Sequence, residues 1–305
     1  MTLRLVALAL VATASALAAE PAGVRRLAPG VWFHEGDHAR VHCNNTWIEL
    51  DGYVIVVDAN YPAGAAIVIP QLRATTSKPV RYVIDTHFHP DHAFGNQLWA
   101  DAGAEIVAQE ATLAELQRSG PARWADEAKA RPDVAASALA LPTLTYRDAL
   151  AFDDGHRRVE LHFFGPGHTH GDTLVWLPHE KILATGDLCA NGAFNYLHDS
   201  SLPGWIAVLE KAKALGAAIV CPGHGPVGGP EIVADQQRYL ASLLREVSAL
   251  VDAKKSPAEI KAAVPALGAR LRTIESIARY VPDDFWLAAQ VSDVAGQLGA
   301  PPLPP

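Results

Sequence analysis

Thr86-His87-Phe88-His89-Pro90-Asp91-His92 is the stretch on which the reading of this chain turns. It follows directly on Val80 to Asp85, an apolar run of the kind that fully buried strands carry. In an extended segment residues two apart point the same way, so His87 and His89 can share one ion. Pro90 turns the chain and suits the first turn of a helix, predicted to run to Ala100. Asp91 and His92 then face a second point close by. Imidazole and carboxylate are ligands for zinc, and equally for iron or manganese. A single short segment can therefore serve two adjacent metals.

Outward from this segment, the pattern is of short strands and covering helices. Val31 to Phe33, Asn45 to Leu50 and Tyr53 to Asp58 read as consecutive strands, with Asp51-Gly52 as a hairpin turn. Ala63 to Thr75 has helical periodicity after Pro62. Ala104 to Ala108 reads as a strand and Ala111 to Ala130 as an exposed helix. Leu144 to Phe152 and Val159 to Phe164 alternate as a pair about Asp154-Gly155, and Leu174 to Leu177 and Lys181 to Thr185 form the next pair. Trp205 to Leu215 is predicted as a helix closed by Gly216, and Ala217 to Cys221 as a last strand. This order predicts two sheets covered by helices, an α/β sandwich. Beyond Pro230, Glu231 to Lys254, Pro257 to Val264, Ala269 to Tyr280 and Asp283 to Leu298 all read as helix.

Three later positions repeat the placement of the first. His168 stands in Gly165-Pro166-Gly167-His168-Thr169, Asp187 in Thr185-Gly186-Asp187, and His224 in Pro222-Gly223-His224-Gly225. Each is predicted just beyond a strand end and is flanked by glycine. Loops at strand ends are where α/β scaffolds carry chemistry, and glycine lets backbone approach an ion closely.

The ordered set THFHPDH, GPGHTHGD, ATGDL and CPGHGPV resembles the metallo-β-lactamase superfamily over roughly Val24 to Pro230. The resemblance implies a four-layer αββα sandwich with a dinuclear site at the sheet edges. By motif position it implies that His87, His89 and His168 hold one metal. Asp91, His92 and His224 would hold the other, and Asp187 would bridge the two. It also implies two zinc ions per chain, with iron or manganese as alternatives. Asp187 tells within the family, because its true β-lactamases usually carry cysteine or serine there while glyoxalase II-like hydrolases carry aspartate.

The charge logic stands beside that resemblance. Two neighbouring dications repel unless anions lie between them, and Asp91, Asp187 and a bound hydroxide would supply the negative charge. Metal binding lowers the pKa of water from ~15.7 to about 7. The expected reaction is attack by this hydroxide on a carbonyl-type substrate (ester, thioester, lactone or lactam), with Asp91 orienting or shuttling the proton and with weak β-lactamase activity as a side reaction. The alternative is a mononuclear iron enzyme resembling the persulfide dioxygenases, or a non-catalytic metal-binding protein.

Composition bounds these readings. The chain has 305 residues, 50% of them hydrophobic and 19% charged, which excludes a disordered or collagen-like chain. A net charge of −8 with no basic run excludes a duplex-binding surface, so the expected partner is a small molecule and not a nucleic acid. Arg4, the apolar run Leu5 to Ala12 and the small residues Ala16-Leu17-Ala18 read as a signal peptide over residues 1–19. That run is shorter than the ~20 residues of a membrane span. The expectation is therefore a periplasmic or secreted protein with no membrane insertion of the mature chain. A metallo-β-lactamase-like domain over 20–230 would be followed by a helical extension, 231–305, packed on the same unit. Cys43, Cys189 and Cys221 form no C-x-x-C pair, and an odd count leaves at least one free.

Other residues carry weaker expectations. Asp58 and Asp172 are candidates to support ligands by hydrogen bonds. Asn191 or Tyr196 would donate to a developing oxyanion. His38 or His42 could line the cleft, whereas His34, His156, His162, His179 and His198 read as structural or exposed. The C-terminal helices would either wall the cleft or pack on the back face.

Overall fold

The computed structural model describes residues 21–304, so the signal-peptide expectation for residues 1–19 falls outside them. The chain opens with strands β1 (Val24–Ala28), β2 (Val31–His34), β3 (Asn45–Glu49) and β4 (Val54–Val57), antiparallel neighbours in sequence order. Helix α1 (Pro62–Thr75) crosses to β5 (Val80–Asp85), which lies parallel to β4. The short helices α2 (Pro90–Ala93) and α3 (Asn96–Asp101) lead to β6 (Glu105–Gln109). Helices α4 (Glu110–Arg118), α5 (Gly120–Ala130) and α6 (Pro132–Ala135) then return to β7 (Leu144–Tyr146), which closes a seven-stranded sheet of order β1 to β7. The second sheet is built from β8 (Ala149–Asp153), β9 (Arg158–His162), β10 (Leu174–Leu177), β11 (Ile182–Ala190), helix α7 (Leu202–Ala214) and β12 (Ile219–His224). It has five strands in the order β12-β11-β10-β9-β8. Helices α8 (Glu231–Asp252), α9 (Pro257–Arg272) and α10 (Asp284–Gln297) complete the chain.

Burial sorts these elements into four layers. The inner faces of the two sheets meet through Phe33, Ile48, Ile55, Ile84 and Val107 on one side and Val159, Leu161, Val175 and Ile182 on the other. Alternate residues of the first sheet, Trp47, Val54, Val56 and Val83, turn outward onto Val68 and Leu72 of α1 and Trp99 of α3. The outer face of the second sheet, through Leu174, Trp176 and Leu183, shares one core with Trp205 and Leu209 of α7, Tyr239 and Leu243 of α8, Leu267 of α9 and Val291 of α10. The fold is thus an αββα sandwich with a C-terminal helical part. Because the sheets are covered on both faces, β4, β10 and β11 are buried along their whole length, and β4 and β10 are unbroken apolar runs.

Several predicted boundaries move, each for a physical reason. The helix expected from Pro90 to Ala100 is two helices, because the Gly95 N–H donates to the Asn60 carbonyl at 2.6 Å and leaves the helical ladder. The predicted helix over 111–130 breaks at Ser119, where Pro121 opens a new first turn. Leu144 to Phe152 is not one strand: Leu144–Tyr146 pairs parallel with β6 and Ala149–Asp153 antiparallel with β9, so the chain changes sheet at Arg147-Asp148. The helices expected over 257–264 and 269–280 are instead one, α9, which continues through Pro265 to Arg272. Burial of Ile260, Val264, Leu267 and Leu271 on both sides of Pro265 offsets a penalty of about 3 kcal/mol. Only a short 3-10 turn, Ala278–Tyr280, follows.

Cys43, Cys189 and Cys221 are all buried and unpaired, so no disulfide forms among the described residues. No helix among them is long and apolar enough to cross a membrane.

Candidate metal centre

The strand ends converge where the two sheets are stitched together. The Thr173 N–H donates to the Thr86 carbonyl at 2.7 Å and the Asn44 N–H to the Gly223 carbonyl at 2.8 Å. Asn44 Nδ2 also donates to the Pro222 and Gly225 carbonyls. Gly186 sits at φ +49°, and a Cβ there would lie 2.3 Å from Thr86 Oγ1, so only glycine allows this approach. His87 and His89 leave β5, Asp91 and His92 sit on α2, and His168 lies in the loop after β9. Two placements differ from expectation. Asp187 lies inside β11, in a stretch where the register with β12 shifts, and His224 is the last residue of β12 and not a loop residue beyond it. The irregular pairing turns a strand side chain toward the cluster without ending the strand.

All seven side chains are buried and they meet in two groups. In the first, His87 Nε2 and His168 Nε2 each lie 3.0 Å from His89 Nδ1. Nitrogens on a tetrahedral zinc with bonds of ~2.0–2.1 Å stand about 3.3 Å apart, so this spacing is close to that of a ligand set. In the second, Asp91 Oδ2 lies 3.0 Å from His224 Nε2 and 3.4 Å from His92 Nε2. Asp187 reaches both: Oδ1 is 3.3 Å from His92 Nε2, and Oδ2 is 3.5 Å from His224 Nε2 and 3.8 Å from His168 Nε2. A Cβ at position 223 would fall 1.9 Å from Asp187 Oδ1, so Gly223 leaves the room this carboxylate occupies.

The electrostatics of the two groups differ. Burial, with the neighbouring imidazoles, holds His87 far below the usual histidine range and His168 down at about 3, so both keep a free lone pair. Burial also opposes charge on His92 and His224, yet there the Asp187 and Asp91 carboxylates win and raise both pKa values. His92 Nε2 and Asp187 Oδ1 are buried atoms with no hydrogen-bond partner. Buried carboxylates and unpartnered nitrogens aimed at one point are costly unless a cation joins them. The donor set of five imidazoles and two carboxylates fits zinc, iron or manganese.

Carboxylates and hydroxyls behind the cluster set which nitrogen faces it. Asp58 Oδ2 lies 2.9 Å from His92 Nδ1 while its Oδ1 accepts the Thr86 N–H. Thr86 Oγ1 lies 3.0 Å from His87 Nδ1. Asp172 accepts from the Thr169 N–H and Oγ1 and so pins the loop that carries His168. Asp58→Asn places an amide N–H where His92 Nδ1 needs an acceptor and drives the His92 proton toward Nε2. We predict a loss of about 10–100-fold in metal affinity with unchanged circular dichroism. Competition titration against a chromophoric chelator reads it, and equal affinities would refute the role.

A cleft of 710 Å³ opens onto Asp91, Asp187, His89 and His224. His38 lines it, with its ring 3.6 Å from that of Phe194, whereas His42 is buried elsewhere. Tyr196 lines it too, but Asn191 is turned away and donates to the Pro226 carbonyl. Pro282, Asp283, Trp286 and Gln290 wall the cleft, so the C-terminal helical part reaches it. His156 and His198 are exposed, and His162 is tied to Glu160.

Sequence reasoning missed Asp199, whose Oδ2 lies 3.0 Å from His89 Nε2 and accepts from Arg123 Nη2 at 2.8 Å. It stands 110 residues from His89 in the chain, so no local spacing marks it. Cys43 groups with Asp58 and His92, and burial pushes its thiol up to about 12.

Two back-to-back sheets, outer helices and a buried His/Asp cluster at the stitched edge define an αββα protein with a candidate metal centre. The family model described as the metallo-beta-lactamase superfamily matches residues 38–224, and the chain belongs to that superfamily as an enzyme of its hydrolase class. The chain is 25% identical over 217 residues to a metallo-beta-lactamase type 2 of Bacteroides fragilis, covering 66% of this chain and 82% of that one. It is 27% identical over 227 residues to a linear primary-alkylsulfatase of a Pseudomonas species, covering 62% of this chain but only 42% of that protein. A solved metallo-beta-lactamase from Pontibacter korlensis superposes with a TM-score of 0.60 at 20% identity, over 72% of this chain and 98% of that one.

Proposed function

We propose that this chain is an exported dinuclear hydrolase of carbonyl-type substrates, with an ester, thioester or lactone as its main substrate and lactams as poor ones. The observation that carries the reading is Asp187, one carboxylate within 3.8 Å of a nitrogen in each histidine group. His87, His89 and His168 would hold one ion, Asp91, His92 and His224 the other, with Asp187 between them. Two zinc ions held there would supply Lewis acidity and an acidified water. Asp91, whose Oδ2 faces His224 and lies at the cleft floor, would orient and move the proton of the attacking water. Burial of the donors excludes bulk water and strengthens each charge interaction at the floor. Asp187, where the family's β-lactamases usually carry cysteine or serine, supports placing lactams second. The pattern of residues 1–19 supports export.

The reading is tested on the full mature chain with an aryl ester, a thioester, a lactone and a chromogenic cephalosporin. Turnover of at least one of the first three, abolished by dipicolinate and restored by zinc, is expected. Turnover indifferent to the chelator, or none on any substrate, would reject it.

A further inference from the structure

Six large hydrophobic side chains are exposed among the described residues, and three of them, Val41, Tyr196 and Trp286, line the cleft above the His/Asp cluster. Their exposures are 50%, 43% and 56%, far from the burial that apolar side chains normally find. Phe194 lines the same cleft, against His38. The cleft thus sets exposed apolar side chains above a polar floor, with Arg123, Glu127 and Asp283 also in its wall. That is the layout of a small-molecule site, in which apolar walls give affinity and a few polar groups fix orientation.

Trp286 stands on a rigid support. The Asp283 side chain caps α10 by accepting the Trp286 N–H at 3.0 Å, which fixes where the helix starts. Beneath it, Leu287, Val291 and Val294 are buried in the core shared with α7 and α8. Gln290 Nε2 donates to the Asn195 carbonyl at 2.7 Å and its Oε1 accepts from Tyr239, tying α10 to the loop that carries Phe194 and Tyr196. Tyr196 in turn lies edge-on to His89, with ring centroids 5.4 Å apart. The two sides of the cleft mouth are thus held in register with each other and with the donors. An indole left in water on so firm a base is preorganised to pack against a ligand.

We infer that Trp286 is a specificity-determining residue and that the substrate carries an aromatic or bulky apolar group beside its scissile carbonyl, seated between Trp286 and the Phe194–Tyr196 loop. The inference rests on the hydrolase reading above and names the substrate class of that site. Phe285 supplies the control. It is 78% exposed and packs edge-on to Trp286 at 5.7 Å, yet it does not line the cleft.

The test is calorimetric titration of the zinc-loaded full chain with 1-naphthylacetate and with acetate, which share the carboxylate and differ in the apolar group. Trp286→Ala is expected to weaken 1-naphthylacetate about tenfold and to leave acetate within about twofold. Trp286→Phe should recover most of the loss, and Phe285→Ala should change neither ligand. Equal 1-naphthylacetate affinity in the native chain and Trp286→Ala would overturn the inference, as would no binding to the native chain. An equal loss in Phe285→Ala would assign the patch to a wider docking surface and overturn it too. Failure to take up zinc, or to hydrolyse any substrate of the panel above, strikes the hydrolase reading by a separate measurement.

Discussion

Asp187→Ala is expected to lower turnover of whatever substrate the chain hydrolyses by about 10³-fold or more, and to lower metal uptake with it. Among the described residues, no other carboxylate faces both histidine groups; Asp187 lies 3.3 Å from His92, 3.5 Å from His224 and 3.8 Å from His168. Removing it takes away negative charge that two neighbouring dications would need between them. It also takes a carboxylate away from three buried imidazoles, leaving His92 and His224 only Asp91 of the pair they face at the cluster. Asp187→Asn keeps the shape and removes the charge, so it should fail nearly as badly, which separates electrostatics from packing. Far-UV circular dichroism guards against simple unfolding, since the αββα core makes no use of this side chain. Wild-type metal content and turnover in either variant would refute the role.

Trp205→Ala is expected to cost about 3–5 kcal/mol of stability. The ring is fully buried in the core that joins α7, α8 and the second sheet. Its Nε1–H donates to the Leu188 carbonyl at 2.9 Å, and its ring lies 5.0 Å from that of His168. Truncation would therefore open a cavity, leave a β11 carbonyl unpaired and free a metal-facing imidazole to tilt. A fall in melting temperature on the order of 10 °C is expected, with weaker metal retention at temperatures where the fold is intact. Trp205→Phe fills most of the space but loses the hydrogen bond, so it should fall between the two. A melting temperature unchanged in Trp205→Ala would contradict this account of the core.

Much of this was legible because chemistry and periodicity coincide. The run Val80 to Asp85 reads as a buried strand and β5 has the predicted bounds, but its burial is complete only at Val80 and from Val83 onward, with Arg81 exposed and Tyr82 half-buried. The segment His87 to His92 reads as two ligand directions, and the side chains do point into two groups. Pairing across long chain separations was less legible. Leu144 to Phe152 has one alternating pattern but two partners in two sheets, because alternation records which face is buried and not which strand lies alongside. Pro265 reads as a helix end, yet packing on both sides carries α9 through it. Asp199 could not be found, because a carboxylate that orients a histidine from 110 residues away leaves no mark in local spacing. Asp58 could be suggested only because it ends a strand beside the site.

The C-terminal helices show the same limit from the other side. Their amphipathic patterns announce helices, but the placement of Trp286 at the cleft depends on the cap at Asp283 and on Gln290 reaching Asn195. Neither contact is local to a sequence motif.

The central claim is that the buried His/Asp cluster holds two metal ions astride Asp187. Elemental analysis of the purified full chain tests it most directly. Two zinc ions per chain, falling to one or none in Asp187→Ala, is the predicted result. A single iron per chain, or no bound metal in an active enzyme, would contradict it.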